Sequence, residues 1–384
     1  MSPGQGMAIP SPHRRRIELL FMTPTKENNQ VNWKQKQVLV TGGASFIGSA
    51  LVDALVDRGA RVRVVDNFSS GKVENVKHRL QDGSVELMEM DLLEPGAAMR
   101  AVGGMEVVFH LAADHGGRGY VDLHQVACGT NLALDQILFR ACHQSGVEKV
   151  VFASSGCVYP NHIQTDPNEI LYLTEDKVGP PYDADNMYGW AKLMAEMTLQ
   201  AYYREFGMRS ASCRYFTVYG ERGHENHAVI AMIARAFVKQ APFIVWGNGE
   251  QIRNWTYVGD IVEGTILAAE KIGDGTAVNL GTMERVRVLD AVNEVLHYTG
   301  HKAEIELHPE MPTGPMNRVA DNSLAMKLLD WKPKVKFIDG LHRTIDWYFK
   351  SKDRQKVAAI LEHMLTERTA EPKEARQEGA VLAD

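Results

Sequence analysis

The stretch Thr41-Gly42-Gly43-Ala44-Ser45-Phe46-Ile47-Gly48 constrains this chain more than any other. It follows a short apolar run, Gln37-Val38-Leu39-Val40, and it opens a segment with helical patterning from Phe46 to about Arg58. A strand that turns through glycines directly into a helix is the first half of a βαβ unit, whose second strand must lie parallel to the first. The rhythm continues: residues 61–66, 85–90, 107–111 and 150–153 read as further strands, separated by helical patterns that include one long helix ending near Ser145. Strand runs this uniformly apolar predict a sheet covered on both faces.

The expected fold class is therefore α/β: a Rossmann-type parallel sheet with helices on both faces, plus a smaller C-terminal substrate-binding lobe. The chain has 384 residues, 45% of them hydrophobic, enough for one large domain or two lobes. Residues 1–35 are polar and irregular and read as an N-terminal extension. Residues 36–215 carry the βαβ rhythm. After Tyr215 the elements shorten and Gly/Pro turns dominate, so residues 216–350 read mainly as the substrate lobe, partly interleaved with the first. Residues 351–384 read as a charged tail holding one amphipathic helix (Val357, Ile360, Leu361, Met364, Leu365).

A formal net charge of −6 argues against a nucleic-acid partner. There is no run of about 18 apolar residues, so no membrane span is expected. The patch after Arg14-Arg15-Arg16 is too short for a secretory signal. Cys128, Cys142, Cys157 and Cys213 are too widely spaced for a zinc pattern; they read as reduced thiols in a cytoplasmic protein.

The glycine turn sits where the pyrophosphate of a dinucleotide meets helix N–H groups and the positive end of the helix dipole. Gly42 permits the tight turn and Gly48 a close helix–strand approach. Ser45 stands at the middle position, where its hydroxyl is a candidate phosphate ligand, flanked by Phe46 and Ile47. A plain βα turn is the alternative, but Asp66 ends the second strand 18 residues after Gly48. A carboxylate there accepts from the adenosine ribose and repels a 2′-phosphate, which selects NAD over NADP. Asn67 beside it, and Asp91 with Leu92 after the third strand, are further candidates for the adenosine half. Leu111, Ala112 and Ala113 end the fourth strand with small residues beside the cofactor.

Tyr188 and Lys192 lie four residues apart, on one face of a helix. An ammonium near a phenol, with the positive nicotinamide, lowers the phenol's pKa, and the phenolate then takes a proton from a sugar hydroxyl. Ser154 and Ser155 follow the fifth strand, at the carboxyl edge where ligands bind in such sheets.

TGGASFIGS, DNFSSG, DLLEP, HLAAD, ASSGCVYP, YGWAK and RYFTVYG occur in an order that resembles the extended short-chain dehydrogenases/reductases, over roughly residues 36–350. HLAADHGGRGY, SSGCVYP and GNGEQIRNWTYVGD with NRVADNS resemble the GDP-mannose 3,5-epimerase branch most closely. The resemblance implies NAD held near Tyr215 as well as Tyr188 and Lys192, and a nucleotide-diphosphate sugar (GDP-, UDP- or dTDP-linked) as substrate. It implies an acid/base role for Cys157, where related dehydratases and decarboxylases carry an acidic residue. His227 stands where the 3,5-epimerases have a lysine, the second acid/base. Arg253 and Arg318 match arginines on the nucleotide diphosphate, Gly116 and Gly117 a glycine loop beside the sugar, and Thr217 replaces an asparagine of the substrate pocket. Helices around 120–145 and 186–206 resemble those that pair in family dimers, which predicts a homodimer.

The expected activity is an NAD-dependent epimerisation through a 4-keto sugar, with Cys157 and His227 exchanging protons at C3 or C5. A plain 4-epimerase, with Cys157 as a spectator, is the alternative. A 4,6-dehydratase is weaker because the acidic residue is missing, and a redox-sensing NAD-binding regulator is weaker still. His224 and His227 lack a third ligand, so no metal is expected.

Overall fold

A computed structural model describes residues 31–368. Most of the N-terminal extension and the last part of the C-terminal tail, 369–384, lie outside the described residues.

Seven strands form one sheet: β1 (Gln37–Thr41), β2 (Arg61–Asp66), β3 (Val85–Glu89), β4 (Val107–His110), β5 (Lys149–Ser155), β6 (Arg209–Tyr215) and β7 (Asp274–Leu280). Their spatial order is β7-β6-β5-β4-β1-β2-β3, and every neighbouring pair is parallel. The chain builds outward from β1 to β3, then returns to lay β4 against the other side of β1. That reversal leaves a crevice beyond the carboxyl ends of β1 and β4, the place where open α/β sheets bind ligands.

Strand β1 shows why both faces are covered. Val38, Leu39 and Val40 are all fully buried. Val38 and Val40 pack with Leu51 and Leu55 of α1 (Phe46–Asp57), while Leu39 points the other way, to Leu138 and Phe139. The period-2 alternation thus feeds two cores from one strand. Each such side chain contributes about 1.5–3 kcal/mol relative to an exposed one.

The single long helix expected before Ser145 is three pieces: α2 (Arg118–Leu123), α3 (Gln125–Gly129) and α4 (Asn131–Gln144). His124 leaves the helical region at φ −117°, ψ 49°, and the Thr130 hydroxyl donates back to the Ala127 carbonyl at 2.6 Å. Asn131 explains the restart. Its buried carboxamide accepts from the Asp114 N–H at 2.7 Å and donates to the Asp114 carbonyl at 2.8 Å, pinning the loop after β4. Periodicity registers the apolar face but not this polar anchor.

Helix α5 (Asn186–Phe206) runs 21 residues and stops at Gly207, whose φ of +71° favours a residue without Cβ. Beyond β6 come α6 (Ala228–Phe237), α7 (Val258–Lys271), α8 (Val288–Thr299), α9 (Phe337–Ser351) and α10 (Arg354–Met364). Helix α7 packs on the sheet, and β7 is the sheet's last strand, so this half of the chain does interleave with the first. Residues of α6, α8, α9 and α10, with the parallel strand pair Phe243–Trp246 and Ile305–His308, enclose a separate apolar core. Val357 and Leu361 of α10 are buried in it, as is Leu365 just beyond, so the amphipathic helix read within the tail is a packed element.

Candidate active site

One cleft of about 400 Å³ runs from the glycine turn, past the carboxyl ends of β4 and β5, to α6 and α8. Ser45, Phe46, Ile47, Leu111, Ala113, Ser154, Ser155, Cys157, Tyr188, Lys192, Tyr215, Thr217, His227, Arg253 and Arg318 all line it, as do Gly116 and Gly117. Gly42, Gly48, Asp66, Asn67, Asp91, Leu92 and Ala112 do not line it; Asn67 is exposed and Leu92 is buried in the core with Leu39 and Val108.

The glycine turn is tight for steric reasons. Gly42 sits at φ +67°, and a Cβ there would meet the Ala112 backbone at 2.9 Å; a Cβ on Gly48 would lie 2.1 Å from the Gly42 carbonyl. Ser45 caps α1, but its hydroxyl donates to the Gly42 carbonyl at 2.6 Å. The expected phosphate contact from that hydroxyl is therefore already spent, and the first-turn N–H groups of α1 carry the anion-binding capacity. Asp66 accepts from the Ala44 N–H at 3.0 Å and the Phe68 N–H at 2.9 Å, tying the end of β2 to the turn. Burial raises its pKa, against those two bonds and Arg368. A carboxylate has about four acceptor sites, so capacity remains for ribose hydroxyls. A cradle closed to any Cβ and a carboxylate at the strand end fit NAD.

At β5 the two serines part. Ser154 donates to Glu196 at 2.5 Å, and Glu196 is gripped by Arg214 at 2.8 and 3.0 Å, so Ser154 belongs to a buried polar network as well as to the cleft wall. Ser155 accepts from the Cys157 N–H at 3.1 Å and lines the cleft together with Tyr188. Gly189 is needed to bring these together: a Cβ there would lie 2.3 Å from the Cys157 carbonyl. Helix α5 thus presses its backbone onto the cysteine loop.

The Lys192 ammonium lies 5.7 Å from the Tyr188 ring centroid and 4.5 Å above Phe152. Burial lowers its pKa, partly opposed by Asp135. In the protein alone, burial and then the nearby Cys157 push the Tyr188 phenol above its ordinary value. The ammonium by itself does not bring the phenol toward neutrality; that requires the positive charge of oxidised cofactor beside it.

Cys157 is half-buried, and the Arg318 guanidinium donates to its sulfur at 3.2 Å. Arg318 also donates to Gln164 at 2.8 Å and to Asp185 at 2.9 Å. Three of its five N–H groups are thus turned to protein groups, which ties Arg318 to Cys157, while the remaining two, on a side chain that lines the cleft, leave capacity for an anionic group. Asp185 is buried between Arg318 and Arg118, the latter at 2.8 Å. Burial pushes the carboxyl up, but the two guanidiniums outweigh it and hold the pKa below the usual carboxylate value. Arg253 donates to the Ile252 and Thr313 carbonyls, each at 2.8 Å. Burial, then repulsion from Arg318 and Arg118, pull it down to about 9. Three guanidiniums around one buried carboxylate leave a positive surplus for an anionic group.

His227 caps α6, and burial pushes its pKa down to about 4. The glycines of the β4 loop face it for reasons of space: a Cβ on Gly117 would sit 1.6 Å from the Asn226 carbonyl, and one on Gly116 2.6 Å from Tyr120. Thr217 adopts φ +26°, a region that β-branched residues rarely occupy. Among the described residues no group of three or more His, Cys, Asp or Glu is placed to hold a metal ion, and no helix is long and apolar enough to cross a membrane.

Three residues escaped sequence reasoning. The His115 ring centroid lies 6.4 Å from Tyr188 and 6.1 Å from His227, bridging the two sides of the cleft, and its buried Nδ1 has no hydrogen-bond partner. Burial lowers its pKa well below the usual histidine value. Asp185 stands three residues before Tyr188, which was the available signal. Arg368, near the C-terminal end, pairs with Asp114 at 2.5 Å and donates to the Ser69 and Ser70 hydroxyls at 3.1 Å, spanning the loops after β2 and β4. Nothing local in the sequence announces that contact.

Comparison with known proteins agrees with this architecture. The model of the NAD dependent epimerase/dehydratase family matches residues 38–281. The uncharacterized UDP-glucose epimerase YtcB of Bacillus subtilis is 32% identical over 80% of this chain and 96% of its own length. GDP-mannose 3,5-epimerase 1 of Oryza sativa subsp. japonica is 28% identical over 84% of each chain. Among solved structures, UDP-glucose 4-epimerase of Thermotoga maritima with UDP-glucose superposes at a TM-score of 0.73, with 30% identity over 82% of this chain and 99% of its own. UDP-glucuronic acid 4-epimerase of Bacillus cereus, in complex with UDP-glucuronic acid and NAD, gives 0.73, with 28% identity over 81% and 98%. The glycine cradle, Asp66 and the Tyr188/Lys192 pair in one cleft, taken with these matches, make this chain a member of the NAD-dependent epimerase/dehydratase family and an NAD-dependent nucleotide-sugar epimerase.

Proposed function

We propose that the enzyme epimerises a nucleotide-diphosphate sugar at C3 or C5 through a transient 4-ketone, with Cys157 and His227 as the proton-transfer pair. The observation that carries this reading is a single cleft holding Tyr188, the Arg318-bound thiol of Cys157, and His227. Bound NAD⁺ supplies a reversible hydride acceptor at C4 and a positive charge beside the phenol. Tyr188 takes the C4 hydroxyl proton, and Ser155 orients that oxygen. The ketone acidifies the protons on C3 and C5. His227, neutral at pH 7 because burial favours its uncharged form, accepts such a proton as general base. The S–H of Cys157 delivers a proton to the carbon, and the Arg318 N–H stabilises the sulfur anion left behind. Hydride returned from the cofactor would restore C4, Tyr188 would give its proton back to the C4 oxygen, and exchange with solvent would return a proton to Cys157 and remove one from His227, closing the cycle with no net oxidation.

In this reading residues 36–215 bind NAD and residues 216–350 supply most of the substrate contacts, with the diphosphate held at Arg253. Exposed Leu132 on α4 and Met187, Trp190 and Met194 on α5 support a homodimer formed through those helices. Four free cysteines support a cytoplasmic setting. A plain 4-epimerisation is the competing reading, favoured by the similar solved structures of UDP-sugar 4-epimerases. The test is incubation of the NAD-loaded enzyme with GDP-, UDP- and dTDP-sugars in deuterated water, read by NMR. Deuterium at C3 or C5 of an epimerised product is expected; a C4 epimer free of solvent deuterium would select the competing reading.

A further inference from the structure

Helix α6 starts at His227 and turns Ala228, Ala231, Met232 and Arg235 toward the cleft. At 1.5 Å per residue, Arg235 stands about 12 Å along the helix from the reacting end. Its side chain is unusual. The residue is 5% exposed, its buried Nε has no hydrogen-bond partner, and its nearest organised contact is the Trp246 ring, 5.9 Å from centroid to guanidinium carbon. The facing carboxylate is Glu362, which receives the Gln240 amide at 3.3 Å. Met232, Ile244, Trp246 and Val292 line the same cleft.

A buried guanidinium nitrogen left without a hydrogen-bond partner is costly unless something completes it. Burial pulls its pKa down to about 10, which still leaves a cation at pH 7. Flat apolar and aromatic walls suit a planar base better than a hydrated phosphate, and the Arg118/Arg253/Arg318 cluster already offers charge for the diphosphate. A base bearing two adjacent acceptors, such as O6 and N7 of guanine, matches the fork of arginine. Uracil lacks that pair, and adenine places a donor where guanine has O6.

We infer that Arg235 reads the base of the substrate and selects guanine, making the enzyme specific for GDP-linked sugars. This rests on the reading of the substrate as a nucleotide sugar, but not on which carbon is epimerised. The test is calorimetric titration of the NAD-saturated enzyme with GDP, IDP, ADP and UDP, so that the cofactor site is filled throughout. GDP and IDP, which share O6 and N7, should bind alike and more tightly than ADP or UDP. Arg235→Leu should weaken GDP and IDP roughly tenfold to a hundredfold while leaving UDP unchanged. Arg235→Lys keeps the charge without the fork, and should lose most of the preference for GDP over ADP. Equal binding of UDP and GDP by the unaltered enzyme overturns the inference, as does parallel loss of all four nucleotides in the folded variants. The deuterium experiment reads chemistry, not base preference, so the two readings fail separately.

Discussion

Replacing Asp185 by Asn tests how the cysteine side of the cleft is held. The carboxylate receives Arg118 at 2.8 Å and Arg318 at 2.9 Å and is 3% exposed. Asn keeps the shape but removes the charge, leaving the two guanidiniums to repel each other and Arg253. Breaking one partner of a buried ion pair costs about 3–5 kcal/mol. With an unfolding entropy of ~2.1 cal/mol/K per residue over this length, that corresponds to a fall of about 4–6 °C in Tm. Because the folded carboxyl is held below its unfolded value, its contribution is complete above pH ~4 and disappears as pH falls through the lower folded value. The gap between wild type and variant should therefore be unchanged from pH 7 to 5 and narrow only in stronger acid. Urea unfolding across that range measures it, and the double variant D185N/R118M should recover part of the loss by removing one of the stranded cations. A variant within about 1 kcal/mol of wild type at pH 7 would refute the reasoning, because an exposed ion pair is worth no more than that.

Gly117→Ala forces a Cβ to 1.6 Å from the Asn226 carbonyl; displacement of the β4 loop should abolish turnover, while circular dichroism shows the sheet intact. Thr217→Asn places a residue tolerant of positive φ at +26° and should raise stability by about 1 kcal/mol in urea melts, the low end of such strain. Trp190→Glu, on the exposed apolar stripe of α5, should convert a dimer to monomer by light scattering; an unchanged mass would remove that stripe from the interface.

How much of this was legible depended on whether the information was local. The βαβ start was legible because the Gly42 turn, the alternation in β1 and the carboxylate ending β2 all lie within thirty residues. Tyr188 and Lys192 were legible because four residues on a helix define a face. The break between α2 and α4 was not, since it answers to a buried amide reaching back to Asp114. Arg318 was legible as a diphosphate candidate because a motif names a residue type, but its hydrogen bonds were not, since Cys157, Gln164 and Asp185 come from segments more than 130 residues away. His115 acquires its interest only when the β4 loop folds against the start of α6. Arg368 reaches the loop after β2 from 299 residues along the chain and the loop after β4 from 254, a contact that composition describes only as part of a charged tail.

The most direct test of the central claim is site-resolved exchange in two variants, Cys157→Ala and His227→Gln, each loaded with NAD and incubated with the accepted nucleotide sugar in deuterated water. Transient C4 oxidation should survive in both, visible as absorbance of reduced cofactor, because Tyr188 and Lys192 are untouched. Formation of the C3 or C5 epimer should fall by about two orders of magnitude or more in both variants, the usual scale for losing a general acid or base, and solvent exchange should fall with it in His227→Gln, which lacks the base. Undiminished formation of a deuterated C3 or C5 epimer by Cys157→Ala would contradict the account and leave the thiol a bystander.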